Sequence, residues 1–323
     1  MKKAILILLA LAMILSLAAC GSKTPAAQAP EEKTYVVGIC QLVQHVALDA
    51  ATQGFKDAIT AELGDKVTFV EQNAAGDSAT CSTICNQFVS EKVDLIMANA
   101  TPALQAAAAS TNSIPILGTS VTDYASALAI DNWTGTTGKN ISGTSDLAPL
   151  DGQAAMFGEL LPDVKTIGIL YCSAEANSKY QADTVEGLLT TAGYTVNVYT
   201  FADSNDIANV VTTACANCDA LYIPTDNTAA SATETVSNVA LPAGIPIICG
   251  EEGMCAGCGI ATLSISYYDL GTATGKMAVE ILKNGKDVSS MEVQFAPNFT
   301  KKYNADICAQ LGITVPEDYE AIG

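Results

Sequence analysis

Two doubly wound parallel-sheet α/β lobes joined by a hinge are the fold that this sequence predicts, and three observations predict it. Short β-rich runs alternate with amphipathic helical stretches from Tyr35 onward. Three landmarks in the first half recur in the same order in the second half. The roughly 290 residues beyond position 33 exceed what one hydrophobic core usually fills.

The alternation begins with the strand-like run Tyr35 to Cys40. A segment with Leu48, Ala51, Phe55, Ile59 and Leu63 at helical spacing follows it, and then the run Val67 to Val70. Further strands are expected at Leu95 to Ala98, Ile116 to Gly118 and Ile141 to Thr144, before the pattern restarts at Thr166 to Tyr171. Strands separated by helices imply parallel sheets covered on both faces. The recurrence is specific. Val37-Gly38-Ile39 is answered by Ile167-Gly168-Ile169, Val93-Asp94-Leu95-Ile96 by Cys218-Asp219-Ala220-Leu221, and Ile114-Pro115-Ile116 by Ile245-Pro246-Ile247, at offsets of 130, 125 and 131 residues. Near-constant offsets imply two copies of one lobe. Beyond them, Tyr268 to Lys283 reads as a helix, and Val293 to Phe295 and Phe299 to Tyr303 read as strands, so the chain is expected to recross between lobes after Ser266. The expected boundaries are 34–145 plus 267–290 for lobe 1 and 146–266 plus 291–323 for lobe 2.

In such sheets ligands bind off the carboxyl ends of the strands, and two facing lobes enclose a cleft there. The strand-to-helix loops are therefore the functional candidates: Gln41 to His45, Asn99 to Pro102, Thr119 to Asp123, Tyr171 to Asn177, Pro224 to Thr228 and Gly250 to Met254. They are polar for turns between buried strands. Thr101-Pro102 and Asp226-Asn227-Thr228 also suit helix capping, which competes with ligand contact as the reason for each residue taken alone.

The first residues carry a different signal. Lys2 and Lys3, the uncharged stretch Ala4 to Leu17, and Leu17-Ala18-Ala19-Cys20 read as a signal peptide over 1–19. The last four residues resemble the bacterial lipobox, in which the Cys becomes the diacylated first residue of the mature protein, so Cys20 is the expected lipidation site. Residues 20–33, rich in Ala, Pro, Ser and Gln, read as a lipid-attached linker. No later apolar run reaches the roughly 20 residues of a spanning helix. The whole chain has a formal charge of −19, and losing Lys2 and Lys3 makes the body more acidic still. Nucleic acid is excluded as a partner on charge. The chain contains no Arg, so a carboxylate ligand has to be met by hydroxyls, backbone N–H groups or a Lys. Ten further Cys suggest disulfides in an exported protein, but a body of this size needs no staples. Cys40 and Cys249 sit in or at the end of strand-like runs, where Cys acts as a small hydrophobe. Cys215-Ala-Asn-Cys218 and Cys255-Ala-Gly-Cys258 have zinc-type spacing within each pair, but the pairs lie too far apart for a usual zinc site, and no metal is expected.

The loop sequences themselves resemble a known family. Gln44-His45 with Leu48-Asp49-Ala50, Ala100-Thr101-Pro102, Thr119 to Asp123, Glu175 to Ser178, Pro224 to Thr228 and Gly250 to Met254 are similar to the ABC-transporter substrate-binding lipoproteins that include tryptophan-binding members. The resemblance spans residues 34 to about 316 and implies the type I periplasmic-binding fold. It implies an extracytoplasmic, lipid-anchored protein, taken as a monomer, that hands a small solute to permease and ATPase subunits. This chain departs from the family at Val46, where Pro is common, and at Cys172, so the ligand is not carried across.

The expected solute is an amino acid, aromatic or large and apolar: Thr101 and Thr119 with the N–H groups after them suit its carboxylate, and Asp226, Glu251 and Glu252 are candidates for its ammonium, one of the two Glu being expected to be solvated instead. Tyr171 and Tyr267 are candidate aromatic walls, each equally readable as core. His45, the only His, sits just after the first strand. Gln44, Asp123, Asn177 and Asn227, in the same loops, and Asp146, at the lobe boundary, complete the candidate set. Catalysis and cofactors are not expected. There is no Gly-x-Ser-x-Gly, no His-Glu-x-x-His and no Gly-x-Gly-x-x-Gly after the first strand. Nucleoside or sugar binding, a ligand-sensing receptor lobe and, last, a lipid-anchored enzyme are the competing expectations.

Overall fold

The computed structural model describes residues 33–323, so Cys20 and the signal and linker segments before Lys33 lie outside the described residues. The first sheet is built from β1 (Tyr35–Gln41), β2 (Val67–Asn73), β3 (Leu95–Asn99), β4 (Ile116–Val121) and β5 (Ile141–Ser145), with the edge strand β11 (Gln294–Phe295). Its order is β11-β5-β4-β3-β1-β2, and every pairing is parallel. The second sheet holds β6 (Thr166–Cys172), β7 (Thr195–Phe201), β8 (Ala220–Ile223), β9 (Ile247–Cys249), β10 (Ala261–Ser264), β12 (Thr300–Tyr303) and β13 (Glu320–Ala321), in the order β13-β12-β10-β9-β8-β6-β7. Only the β10–β12 pair is antiparallel. The orders β2-β1-β3-β4-β5 and β7-β6-β8-β9-β10 are the same, which is the duplication the offsets predict.

One landmark of the repeat has a visible cause. Asp94, just before β3, accepts the Val36 N–H (2.7 Å), and its counterpart Asp219, before β8, accepts those of Lys165 (2.9 Å) and Thr166 (2.8 Å). Each carboxylate thus ties the start of a central strand to its neighbour. Backbone donors hold Asp219 below its usual pKa, as expected for a carboxylate with several N–H partners.

The helices follow in chain order: α1 (Val46–Leu63), α2 (Ser78–Glu91), α3 (Thr101–Ser110), α4 (Tyr124–Ala127), α5 (Leu150–Leu160), α6 (Ala176–Thr191), α7 (Ile207–Cys215), α8 (Asn227–Ala230), α9 (Thr233–Ala240), α10 (Glu252–Cys258), α11 (Tyr267–Leu282) and α12 (Ala305–Leu311). Successive strand residues point to opposite faces, so each sheet feeds two cores. In β6, Ile167, Ile169 and Tyr171 join one cluster with Phe157 and Val185, while Leu170 and Cys172 join another with Val211 and Met254. Helix α11 belongs to the first sheet, although it follows the second in sequence. It crosses α1 so closely that a Cβ at Gly54 or Gly271 would run into the backbone carbonyl of Tyr268 or Ala51.

The lobe boundary expected at residue 291 needs correction. Strand β11 pairs with β5, Gln294 opposite Thr144 and Phe295 opposite Ser145, so the chain stays with the first sheet through Phe295 and reaches the second by β12. A two-residue strand at a sheet edge has too little apolar pattern to reveal its partner. Cysteines 40, 81, 85, 172, 215, 218, 249, 255, 258 and 308 are free thiols, and all but Cys215 are buried. They fill space as small hydrophobes.

Candidate functional site

The carboxyl ends of β1, β3 and β4 face those of β6, β8 and β9 across the cleft, and the lobes are in contact there. The His45 Nε2 lies 3.3 Å from Asn227 Oδ1, and the Gln181 Nε2 donates to Thr122 Oγ1 (3.4 Å). Val46 comes up against Gly253, whose Cβ, if it had one, would sit 3.1 Å from that of Val46.

On the second-lobe side, the loops are organised by buried carboxylates at helix starts. Glu175 accepts from Asn177 Nδ2 (3.1 Å), from the Asn227 N–H (3.1 Å) and Nδ2 (2.6 Å), and from the Thr228 N–H and hydroxyl (both 2.8 Å). Asp226 caps α8 through the Ala229 N–H (2.8 Å) and also accepts the Cys172 N–H (2.6 Å). Glu251 caps α10, accepting from the N–H groups of Gly253 (2.6 Å) and Met254. Burial, and then the neighbouring Glu175, pushes Asp226 up to about 8, and burial pushes Glu251 up to about 7. Because Asn227 spends its Nδ2 on Glu175, its Oδ1 faces His45, which must then donate through Nε2. The other ring nitrogen, Nδ1, is buried without a partner. Burial lowers the His45 pKa, which keeps the ring neutral.

On the first-lobe side, Gln41 donates to Asp49 Oδ1 (2.7 Å) and accepts from Thr52 (2.6 Å), and Asn99 donates to the Leu48 carbonyl (2.8 Å) and to Thr52 (2.9 Å). This network pins the start of α1 to the ends of β1 and β3. Ala100 (φ 91°) and Ser120 (φ 54°) take left-handed backbone conformations that non-glycine residues rarely adopt, both at strand ends facing the cleft. Such strain concentrates at ligand sites.

Five other polar atoms in this region are buried without partners: Asn99 Oδ1, Thr101 Oγ1, Ser120 Oγ, Asp146 Oδ1 and Asn177 Oδ1. Buried polar groups are seldom left unpaired, and this set is drawn from both lobes.

Most of the remaining candidates fall elsewhere. The Thr119 hydroxyl lies 3.3 Å from that of Thr144, which in turn lies 2.8 Å from Thr274 on α11, so it faces the first lobe's interior. Asp123 caps α4 through the Ser126 N–H (2.7 Å). Tyr171 lies in a core cluster. Glu252 pairs with Lys302 (3.1 Å) on the wall of a separate cavity of about 330 Å³ beside the crossings. Gln44 is exposed at the cleft mouth with Val46 and Ala230. Tyr267 is buried, and its hydroxyl donates to Asp146 Oδ2 (2.9 Å).

Sequence reasoning named the loops of Ser120 and Glu175 but neither residue as a site. A lone Glu in a loop reads as solvated, and a left-handed Ser has no sequence signature. Gln181, a full turn into α6, left no signal at all.

Comparison with known proteins agrees with this architecture. The family described as ABC transporter substrate binding protein matches residues 36–321. A tyrosine-binding protein of Clostridioides difficile is 37% identical over 260 residues, covering 80% of this chain and 75% of that protein. An ABC domain from Streptococcus pneumoniae, solved in complex with L-Trp, is 34% identical and superposes with a TM-score of 0.85 over 90% of this chain and 100% of its own. A Clostridium difficile substrate binding protein with adhesive properties, in a ligand-free, open structure, is 37% identical but reaches only 0.67 over 90% of this chain and 99% of its own. That structure is open, whereas the lobes here touch. With this match along almost the whole described length, on two parallel-sheet lobes of the type I periplasmic-binding fold, the chain belongs to the ABC transporter substrate-binding protein family.

Proposed function

We propose that this protein is the receptor of an importer for aromatic amino acids, held outside the cytoplasmic membrane by a lipid on Cys20. Family membership implies a small-molecule solute and the permease and ATPase subunits of an ABC transporter as partners. The observation that carries the amino-acid reading is the set of unpaired buried atoms in the closed cleft. Hydroxyls at Thr101 and Ser120, beside the N-terminus of α3, suit a carboxylate in a chain without Arg. Asn177, a fixed amide, presents an acceptor from the opposite lobe. The relatives add weight, one named for tyrosine and another solved with L-Trp.

The test is a thermal-shift screen of the delipidated body against the amino acids, nucleosides and sugars, followed by calorimetry. A solute bound only by the folded state raises the unfolding temperature. L-Tyrosine and L-tryptophan are expected to raise it most. A sugar or nucleoside that stabilises the protein while no amino acid does so removes the reading.

The anchor rests on Leu17 to Cys20 and the linker behind them. Cys20→Ser is expected to move the protein from the membrane fraction to the soluble one. A native protein whose mass spectrum shows an unmodified Cys20 contradicts the anchor and leaves solute binding untouched.

A further inference from the structure

Four carboxylates are buried around the cleft: Asp146, Glu175, Asp226 and Glu251 are 4%, 4%, 1% and 2% exposed. A buried carboxylate is costly unless hydrogen bonds or a cation compensate it. Three of the four are compensated from within. Glu175 receives five donors, and each oxygen of Asp226 and of Glu251 receives a backbone N–H, three of the four at the start of the helix that the carboxylate caps and the fourth, onto Asp226, from Cys172 at the end of β6.

Asp146 differs. It lies at the first crossing between the lobes, directly after β5, and caps no helix, since α5 starts only after Pro149. Tyr267 donates to its Oδ2 (2.9 Å), and the Thr122 hydroxyl stands close enough to favour the ionised form, but Oδ1 has no donor within bonding distance. Burial raises its pKa above the usual carboxylate value. The lysines in described ion pairs meet other acids, namely Glu71, Asp183, Glu62, Glu159, Asp318 and Glu252.

We propose that Asp146 is the residue that selects an amino acid over its deaminated or neutral analogues, its free Oδ1 receiving the α-ammonium while Tyr267 holds Oδ2 in place. The assignment rests on the amino-acid reading above and sharpens it. It moves the ammonium from Asp226 and Glu251, whose oxygens are each taken up by a backbone N–H, and from Glu252, which is paired with Lys302, to the carboxylate with an empty acceptor position. It also gives the solute a grip on the hinge. Asp146 opens the first crossing and Tyr267 closes the second, so an ammonium docked on Oδ1 joins a hydrogen-bonded link between two of the segments that bend when the lobes close.

The test uses the delipidated body and two pairs of probes: L-tyrosine with 3-(4-hydroxyphenyl)propionate, and L-tryptophan with indole-3-propionate. The wild type is expected to bind each amino acid at least about 100-fold more tightly than its deaminated partner, as for a desolvated charge pair. Asp146→Asn keeps the shape and a partner for the Tyr267 hydroxyl. It is expected to lose about 100-fold for the amino acids and little for the deaminated acids, which abolishes the discrimination. Tyr267→Phe leaves the carboxylate in place and is expected to lose about tenfold, again for the amino acids alone. This second variant keeps the assignment testable even if Asp146→Asn folds poorly. A wild type that discriminates while both variants bind amino acids within a few-fold of it overturns the role of Asp146 and leaves the amino-acid receptor standing. A wild type that binds no amino acid removes the amino-acid reading itself.

Discussion

Glu175→Ala is expected to destabilise the second lobe by about 3–5 kcal/mol and to weaken solute binding by two orders of magnitude or more. The carboxylate gathers donors from three residues on two loops: the Asn177 side chain, the backbone and side chain of Asn227, and the backbone and side chain of Thr228. Its removal strands the Asn227 amide and two N–H groups at the start of α8. Hydrogen bonds to a charged group contribute about 1.5–3 kcal/mol each, and water entering the emptied space recovers part of that sum. The effect on binding follows from Asn227. Once released, it no longer holds its Oδ1 toward His45 Nε2, so the contact that joins the lobes at this point is lost. Glu175→Gln should fall between the two, because it retains one acceptor oxygen and turns the other into a donor facing donors. Denaturant unfolding reads the stability term and calorimetry the binding term. A Glu175→Ala protein within about 1 kcal/mol of wild type would show that the cluster is solvated and contributes little.

Gly271→Val is expected to cost a comparable amount, about 3–5 kcal/mol, by a steric route. Helices α1 and α11 meet at Gly54, Gly271 and Gly275, where an added Cβ would strike the backbone carbonyls of Tyr268, Ala51 and Phe55. Backbone cannot swing aside as a side chain can, so the helices have to separate and lose the packing on either side. The damage should reach function. Tyr267 opens α11, and a displaced helix carries the Tyr267 hydroxyl away from Asp146. Gly187→Ala is the control. Gly187 lies on an exposed face of α6 with nothing within 4 Å of the added carbon, and the change should stabilise the protein by about 0.5–1 kcal/mol. Circular dichroism during denaturation compares the two, and equal stability for both variants would contradict the close crossing.

Much of this protein is legible from its residues in order. Strand and helix periods, the offsets that match Val37 to Ile167 and Ile114 to Ile245, and the place of polar loops at strand ends are local properties, each readable within a short window. They suffice for two parallel lobes and for a cleft at the carboxyl ends of their strands. The lipobox-like end is equally local, since it is read by sequence and not by shape.

Tertiary structure alone decided which polar residues are spoken for. Thr119 and Thr101 look alike in sequence, but the Thr119 hydroxyl is in reach of Thr144 inside the first lobe, while that of Thr101 is left without a partner. Asp226, Glu251 and Asp146 are all acids in loops, and only their partners separate two helix caps from a carboxylate with an empty oxygen. The partners come from far along the chain: Tyr267 meets Asp146 across 121 positions, Asn227 meets His45 across 182, and β11 pairs with β5 only after the chain has built the five parallel strands β6 to β10 of the second sheet and returned. Sequence determines the fold through short-range periodicity. The binding chemistry depends on which buried acceptors remain unsatisfied, and that is settled only when residues distant in sequence come within hydrogen-bonding distance of one another.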